Sequence, residues 1–225
     1  MSSSHIFRNF DKHIDALRKD VLTMAHLCRQ NLERAMQSLL HRDLELARAV
    51  IADDTDVDDL EVKIDQSGMD LLIRFTPVAT DLRFVITSMK MSHNLERISD
   101  HAVNIAKRSK KICKGPEIDA GLIAPLHTLA DKILLESFTA YTEQNADLGQ
   151  SLKAKDKELD RLHKEVIASL SKRFEDPAEH SENLLHLIFV ARSLERIGDL
   201  AVNIGEDSVF LSSAKDIRHE PIQWE

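Results

Sequence analysis

A chain of 225 residues, 43% hydrophobic and 30% charged, has enough apolar surface for one or two globular domains, and no apolar run in it reaches the roughly 18 residues that span a bilayer. The net charge of −8 argues against a domain that binds duplex nucleic acid, which would be basic. The two cysteines, Cys28 and Cys113, form no CxxC pair, and the opening MSSSHIF has no basic segment followed by an apolar core. The expectation is a cytoplasmic protein without a thiolate metal site, peripheral to a membrane through partners only.

Six glycines, five prolines and 4% aromatics favour long helices over turn-rich sheet. Phe10, Ile14, Leu17, Val21, Met24, Cys28, Ala35 and Leu39 keep a spacing of three or four, which predicts a first helix over about 6–41 with Met24 and Cys28 in the core. Asp43 is the expected N-cap of a second helix, whose apolar stripe runs from Leu46 to about Phe75. Thr76-Pro77 reads as N-cap and first residue of a third helix that stops before Gly115-Pro116. A fourth helix is expected over about 122–144 and a fifth over 147–174, and Asp176-Pro177 is expected to open a sixth. The tail from Ser212 is polar and holds the single Trp, Trp224.

One stretch occurs twice. LERISDHAVNI at 95–105 and LERIGDLAVNI at 194–204 lie 99 residues apart and differ only at Ser99/Gly198 and His101/Leu200. This is an internal duplication. The expected fold is all-α: two tandem pseudo-symmetric three-helix bundles, residues 1–115 and 116–225, built from six long helices.

On each repeated helix Leu, Ile, Ala and Ile share one side, while Glu96, Asp100 and Asn104, or Glu195, Asp199 and Asn203, share the other. Like charges at i,i+4 repel unless a cation lies between them. The alternative is a solvated face on which Arg97 and Arg196 pair with Asp100 and Asp199. The second and fifth helices repeat at an offset of 102, aligning Asp54 and Asp58 with Asp156 and Asp160. If neighbouring helices run antiparallel, each half brings two carboxylate pairs together. Such all-oxygen sets suit hard ions or carboxylate-bridged iron. The Asp54, Asp56, Asp58 run is no EF-hand, because Asp59 replaces the Gly and Asp65 the Glu that such a loop requires. The eleven histidines, none shared between halves, read as surface or packing residues. The basic run Lys107, Arg108, Lys110, Lys111 and Lys114 either complements a helix C-terminus or meets an anion or partner.

LERISDHAVNIAK, LERIGDLAVNIGE, TPVATDLR at 76–83 and the two aspartate pairs resemble the signature of the PhoU family, the bacterial phosphate-uptake regulators. The resemblance covers nearly the whole chain. It implies metal clusters held by Asp54, Asp58, Glu96 and Asp100 in one half and by Asp156, Asp160, Glu195 and Asp199 in the other, with Asn104 and Asn203 behind them. Iron is the metal it implies first, then Mg, Mn, Ca or Zn. It further implies a non-enzymatic homodimer that represses the phosphate-starvation response and restrains phosphate uptake by linking the transporter ATPase PstB to the sensor kinase PhoR. Asp81 and Arg83 occur only in the first half, and their role is an intrabundle salt link or a partner contact. The competing readings are a ferritin-like di-iron oxidoreductase, against which stands the lack of a Glu-x-x-His pair, a metal-free helical scaffold, and a regulator of another phosphate carrier.

Overall fold

The computed structural model describes residues 2–218, with side chains from residue 9 onward; Trp224 lies outside them. Among the described residues there are seven α-helices and no strand: α1 Ser2–Leu40, α2 Leu44–Ala52, α3 Asp54–Phe75, α4 Ala79–Ile112, α5 Ala124–Thr142, α6 Ala146–Arg173 and α7 Ser181–Ser213. At 39 residues α1 is about 58 Å long. Its stripe at Leu17, Val21, Met24, Cys28, Leu32, Ala35 and Leu39 is fully buried. Cys28 donates its thiol to the Leu95 carbonyl at 3.2 Å, a core contact.

Helices α1 to α4 form one bundle and α5 to α7 the other, with α4 and α7 packed side by side between them. Those two helices run antiparallel: Arg83 meets Leu211, Lys90 meets Asp207 and Arg108 meets His186. The two copies of the repeated stretch therefore face one another across the centre of the molecule. Arg29 of α1 adds a two-pronged ion pair to Asp131 of α5, at 2.7 and 2.9 Å.

Three boundaries differ from expectation. The expected second helix is two, because Asp53 interrupts it. The Asp53 carboxylate is held by Arg34 of α1 at 2.6 Å, and α3 restarts so that Asp54 and Asp56 occupy its first turn, at the positive end of the helix dipole. Thr76 closes α3 instead of capping α4. A following proline pushes its predecessor out of the right-handed helical region, and Thr76 takes φ 45° with its N–H on the Leu72 carbonyl, so α4 starts at Ala79. Asp176-Pro177 likewise opens no helix. The Asp176 carboxylate accepts from the Ala178 N–H at 2.9 Å, fixing a turn, and α7 begins at Ser181 with the His180 ring as its cap. Asp43 does cap α2, accepting from the Leu46 N–H at 2.9 Å.

Candidate metal centres

Ser99 reaches Asp54, His93 reaches Glu61 and Gly68 lies against Met89, so α3 and α4 run antiparallel. The same holds for α6 and α7, where Gly149 lies against Gly205 and Leu159 against Gly198. This is the arrangement that turns two i,i+4 ladders toward each other.

In the second half the ladders converge. Carboxylate oxygens of Asp160, Glu195 and Asp199 all lie within 4.8 Å of one another. Asp156 stands one turn before Asp160, and its Oδ1 is buried with no hydrogen-bond partner. Burial first, then the charges of Asp199, Asp160 and Glu195, pushes the Asp156 carboxyl up to about 6. Asp199 is also raised, by burial and by Glu195, although Arg196 lies 3.3 Å from its Oδ2. The sequence offered a salt link or a cation at Asp199; the arginine is there, but it reaches neither Asp156 nor Asp160.

In the first half the tight cluster is a different one. Glu61, His93 and Glu96 place ligand atoms within 4.8 Å of one another, the His93 Nδ1 being 3.3 Å from Glu61 Oε1. Of the four expected residues only Glu96 belongs to this trio. Burial, then Asp100 and Glu61, raises the Glu96 carboxyl. Asp54 is raised by burial and by the charges of Asp58 and Asp100, so all four acids share one electrostatic neighbourhood without closing as tightly. His93 is an exposed residue, as read from the sequence, but one that faces two carboxylates. Its signal was present: Glu61 is one turn beyond Asp58, and His93 one turn before Glu96. The equivalent places in the second half hold His163 and Arg192, so a search for what the halves share passes over them.

The two differences inside the repeat explain part of this asymmetry. Ser99 donates to Asp54 at 2.9 Å and itself lies 3.5 Å from the Asn31 amide. At Gly198 a Cβ would come within 2.1 Å of Leu159 Cδ2, so Leu159 occupies the space a side chain would take, and Asp156 receives no hydroxyl. His101, in place of Leu200, is pushed down by burial, which outweighs the pull of Asp100; Arg97 and Arg196 push the same way.

The remaining expected residues lie elsewhere. Asn104 lines a basic hollow with Lys107 and Lys111. Asn203 lines a hollow of mixed charge with Lys90, His93, Glu206 and Asp207. Neither is hydrogen-bonded to a cluster carboxylate among the described residues. Among the described residues Asp81 and Arg83 form no salt link: Arg83 donates to the Leu211 carbonyl of α7 at 3.2 Å and to Thr80, tying the bundles together.

The PhoU domain matches the chain twice, over residues 21–109 and 123–208, one match in each bundle. A relative from Pseudomonas aeruginosa, described as a phosphate-specific transport system accessory protein PhoU homolog, is 34% identical over 218 residues, covering 96% of this chain and 90% of that protein. The crystal structure of PhoU from the same organism superposes with a TM-score of 0.86 at 32% identity, covering 92% of this chain and all of that one. The phosphate transport system regulatory protein PhoU from Streptococcus pneumoniae shares the fold, with a TM-score of 0.85 at 24% identity over 92% of this chain and 99% of that one. Two copies of one domain, in the order and spacing that the repeat dictates, make this chain a member of the PhoU family.

Proposed function

We propose that the chain is a non-enzymatic accessory protein of phosphate-specific transport and a negative regulator of the phosphate-starvation response. The observation that carries this is the double domain match over both bundles, together with the name shared by its relatives. Regulation would run through protein contacts, with the transporter ATPase PstB and the sensor kinase PhoR as partners and a homodimer as the acting form. Long rigid helices suit docking, and among the described residues no helix is long and apolar enough to cross a membrane. The test is a deletion strain grown in phosphate-rich medium: phosphatase expression should rise, and an unchanged level would defeat the regulatory reading.

Metal belongs to the same proposal. A buried carboxylate oxygen with no donor, at Asp156, beside three carboxylates within 4.8 Å of each other is a set that a cation would relieve. Asp160, Glu195 and Asp199, with Asp156, would hold a hard ion through oxygen alone. Glu61, His93 and Glu96, with Asp54, Asp58 and Asp100 nearby, would favour a metal that accepts imidazole, such as iron or zinc. Bound metal would neutralise the repulsion along each ladder and fix the faces that partners meet. A di-iron oxidoreductase would need histidine beside carboxylates in matching places, and Arg192 stands where His93 does in the other half. Elemental analysis of protein purified without chelator or affinity-tag metal separates this reading from a metal-free scaffold.

A further inference from the structure

The last two turns of α4 carry Lys107, Arg108, Lys110 and Lys111, and Lys114 follows just past the helix end; all five line a hollow of about 470 Å³ with Asn104 and Ile51 of α2. Four of the five are lysines, and among the described residues none of the four has a carboxylate within ion-pairing distance. Arg108 is fixed differently: its guanidinium lies 4.2 Å from the Phe189 ring centre and 3.5 Å from His186 Nδ1 on α7. Five cations held around one concavity in a chain of net charge −8 repel one another at a cost the fold must offset.

The internal repeat tells whether the fold itself needs them. The ordinary reason for such a run is that cations offset the roughly half negative charge at a helix C-terminus. Yet α7 is the equivalent helix, and it ends with no basic residue in its last turn. At the offset of 99, Lys107 and Arg108 become Glu206 and Asp207, and Lys110, Lys111 and Lys114 become Val209, Phe210 and Ser213. Those two acids are neutralised, Glu206 by Lys153 at 2.9 Å and Asp207 by Lys90 at 3.1 Å. The same architecture therefore stands with the charge reversed and paired in one half, and with it unreversed and unpaired in the other. An excess that the helix end does not require calls for an anion from outside.

Size and surroundings narrow the anion. From Lys107 to Lys111 the helix rises about 6 Å, and Lys114 carries the array on past the helix end, so a single phosphate would reach only part of it. A chain of linked phosphates would reach all of it. Screening at physiological salt confines the attraction to about 8 Å, so a small anion feels the hollow alone, whereas a nucleic-acid duplex or a membrane surface must also face the acidic remainder of the molecule. The volume is within the range of small-ligand sites.

We propose that this hollow is a binding site for a small soluble oligophosphate, an anion with two or more linked phosphate groups, gripped by the lysines and Arg108 with the Asn104 amide as an added donor. The site borders the first carboxylate cluster, where Lys107 acts electrostatically on Asp54, but it needs no metal. The test is calorimetric titration of the full chain in chelator at 0.1 M salt with tripolyphosphate, orthophosphate, and phosphatidylglycerol vesicles. Saturable one-to-one binding of tripolyphosphate, at least tenfold tighter than orthophosphate, is expected. Lys107→Gln/Lys111→Gln should weaken it tenfold or more, and Lys114→Gln alone several-fold. Lys12→Gln/Lys19→Gln on α1, with the same loss of charge, should leave it within twofold. Absence of saturable binding, equal loss in the two double variants, orthophosphate binding as tightly, or binding of vesicles but not tripolyphosphate would each overturn the proposal. Because chelator is present throughout, none of these outcomes depends on whether the carboxylates hold metal.

Discussion

Ser99 hydrogen-bonds Asp54, and at the matching place Gly198 leaves Asp156 with a buried, unpartnered oxygen. A duplicated motif has thus diverged at one position behind its acids. The first half keeps a hydroxyl to stabilise its innermost carboxylate, while the second leaves that carboxylate dependent on something else.

Asp156→Asn should therefore stabilise the protein when no metal is present. The Asp156 carboxyl rises from 3.8 to about 6, burial being the largest cause. A folded-state value above the unfolded one gives stability that is present below 3.8 and lost as pH rises through 6. At pH 7.5 in chelator the full cost applies. Because water reaches part of the site and screens it, that cost is about 1 kcal/mol, or a Tm gain of roughly 2–4 °C for the variant. The gain should vanish at pH 3.5. With a divalent cation in excess the order should reverse, the wild type gaining more. Thermal melts at both pH values, with and without cation, read this directly; a variant that melts lower than wild type in chelator at pH 7.5 would sink it.

The two clusters should prefer different metals. His93 gives the first cluster an imidazole, while Asp160, Glu195 and Asp199 offer oxygen only. His93→Ala is expected to cut zinc affinity at one site tenfold or more and to leave magnesium binding unchanged. Asp160→Asn/Glu195→Gln should do the opposite. Competition titrations with a chromophoric chelator measure both, and identical losses in the two variants would show that the clusters are not distinct in this way.

Helix periodicity made the core legible, because burial leaves a mark every three or four residues; every position of the α1 stripe from Leu17 to Leu39 is buried. The duplication made the pairing of ladders legible, since the offsets of 99 and 102 align the acids of one half with those of the other. What escaped follows from the same reasoning. Asp53 breaks a helix without Gly or Pro, and Arg34, the side chain that holds it, comes from the neighbouring helix α1. Thr76-Pro77 suits either a helix start or a helix stop, and only the left-handed φ of Thr76 distinguishes them. Glu61 and His93 were invisible to a search for shared residues because the second half replaced both. Arg83 was expected to make a salt link or to meet a partner; in place of the salt link it donates to a backbone carbonyl, which no pattern of side chains can reveal.

Two helix glycines should respond differently to alanine. At Gly149 a Cβ would lie 2.5 Å from the Gly205 carbonyl oxygen, and backbone of a packed helix cannot retreat cheaply. Overpacking of about 1–3 kcal/mol should outweigh the roughly 1 kcal/mol that alanine gains in helix propensity. Gly149→Ala is expected to lower stability by up to about 2 kcal/mol on those terms. At Gly68 the obstacle is the Met89 side chain, Sδ 2.6 Å away, which can turn aside. Gly68→Ala should be near neutral. Urea unfolding of both variants settles the contrast, and equal midpoints would count against it.

His127 should set part of the acid limit of the fold. It lies largely buried beside the α1–α5 contact, its Nε2 without a hydrogen-bond partner and 3.7 Å from Glu33 Oε2. Burial holds its titration below the usual 6.5; Glu33 and Asp131 pull upward, and Arg29 pushes down with the burial. The folded state therefore binds fewer protons than the unfolded chain between the two values. Its contribution to stability is present above 6.5 and is lost as pH falls through the lowered folded value. His101 and His186 are shifted the same way, so replacing one histidine should flatten the acid limb without abolishing it. His127→Gln is expected to lose less of its urea midpoint than the wild type between pH 7.5 and 5.5, whatever its midpoint at the higher pH. Parallel falls in the two proteins would mean that the α1–α5 contact accepts a charged imidazole, with Glu33 and Asp131 repaying its burial in full.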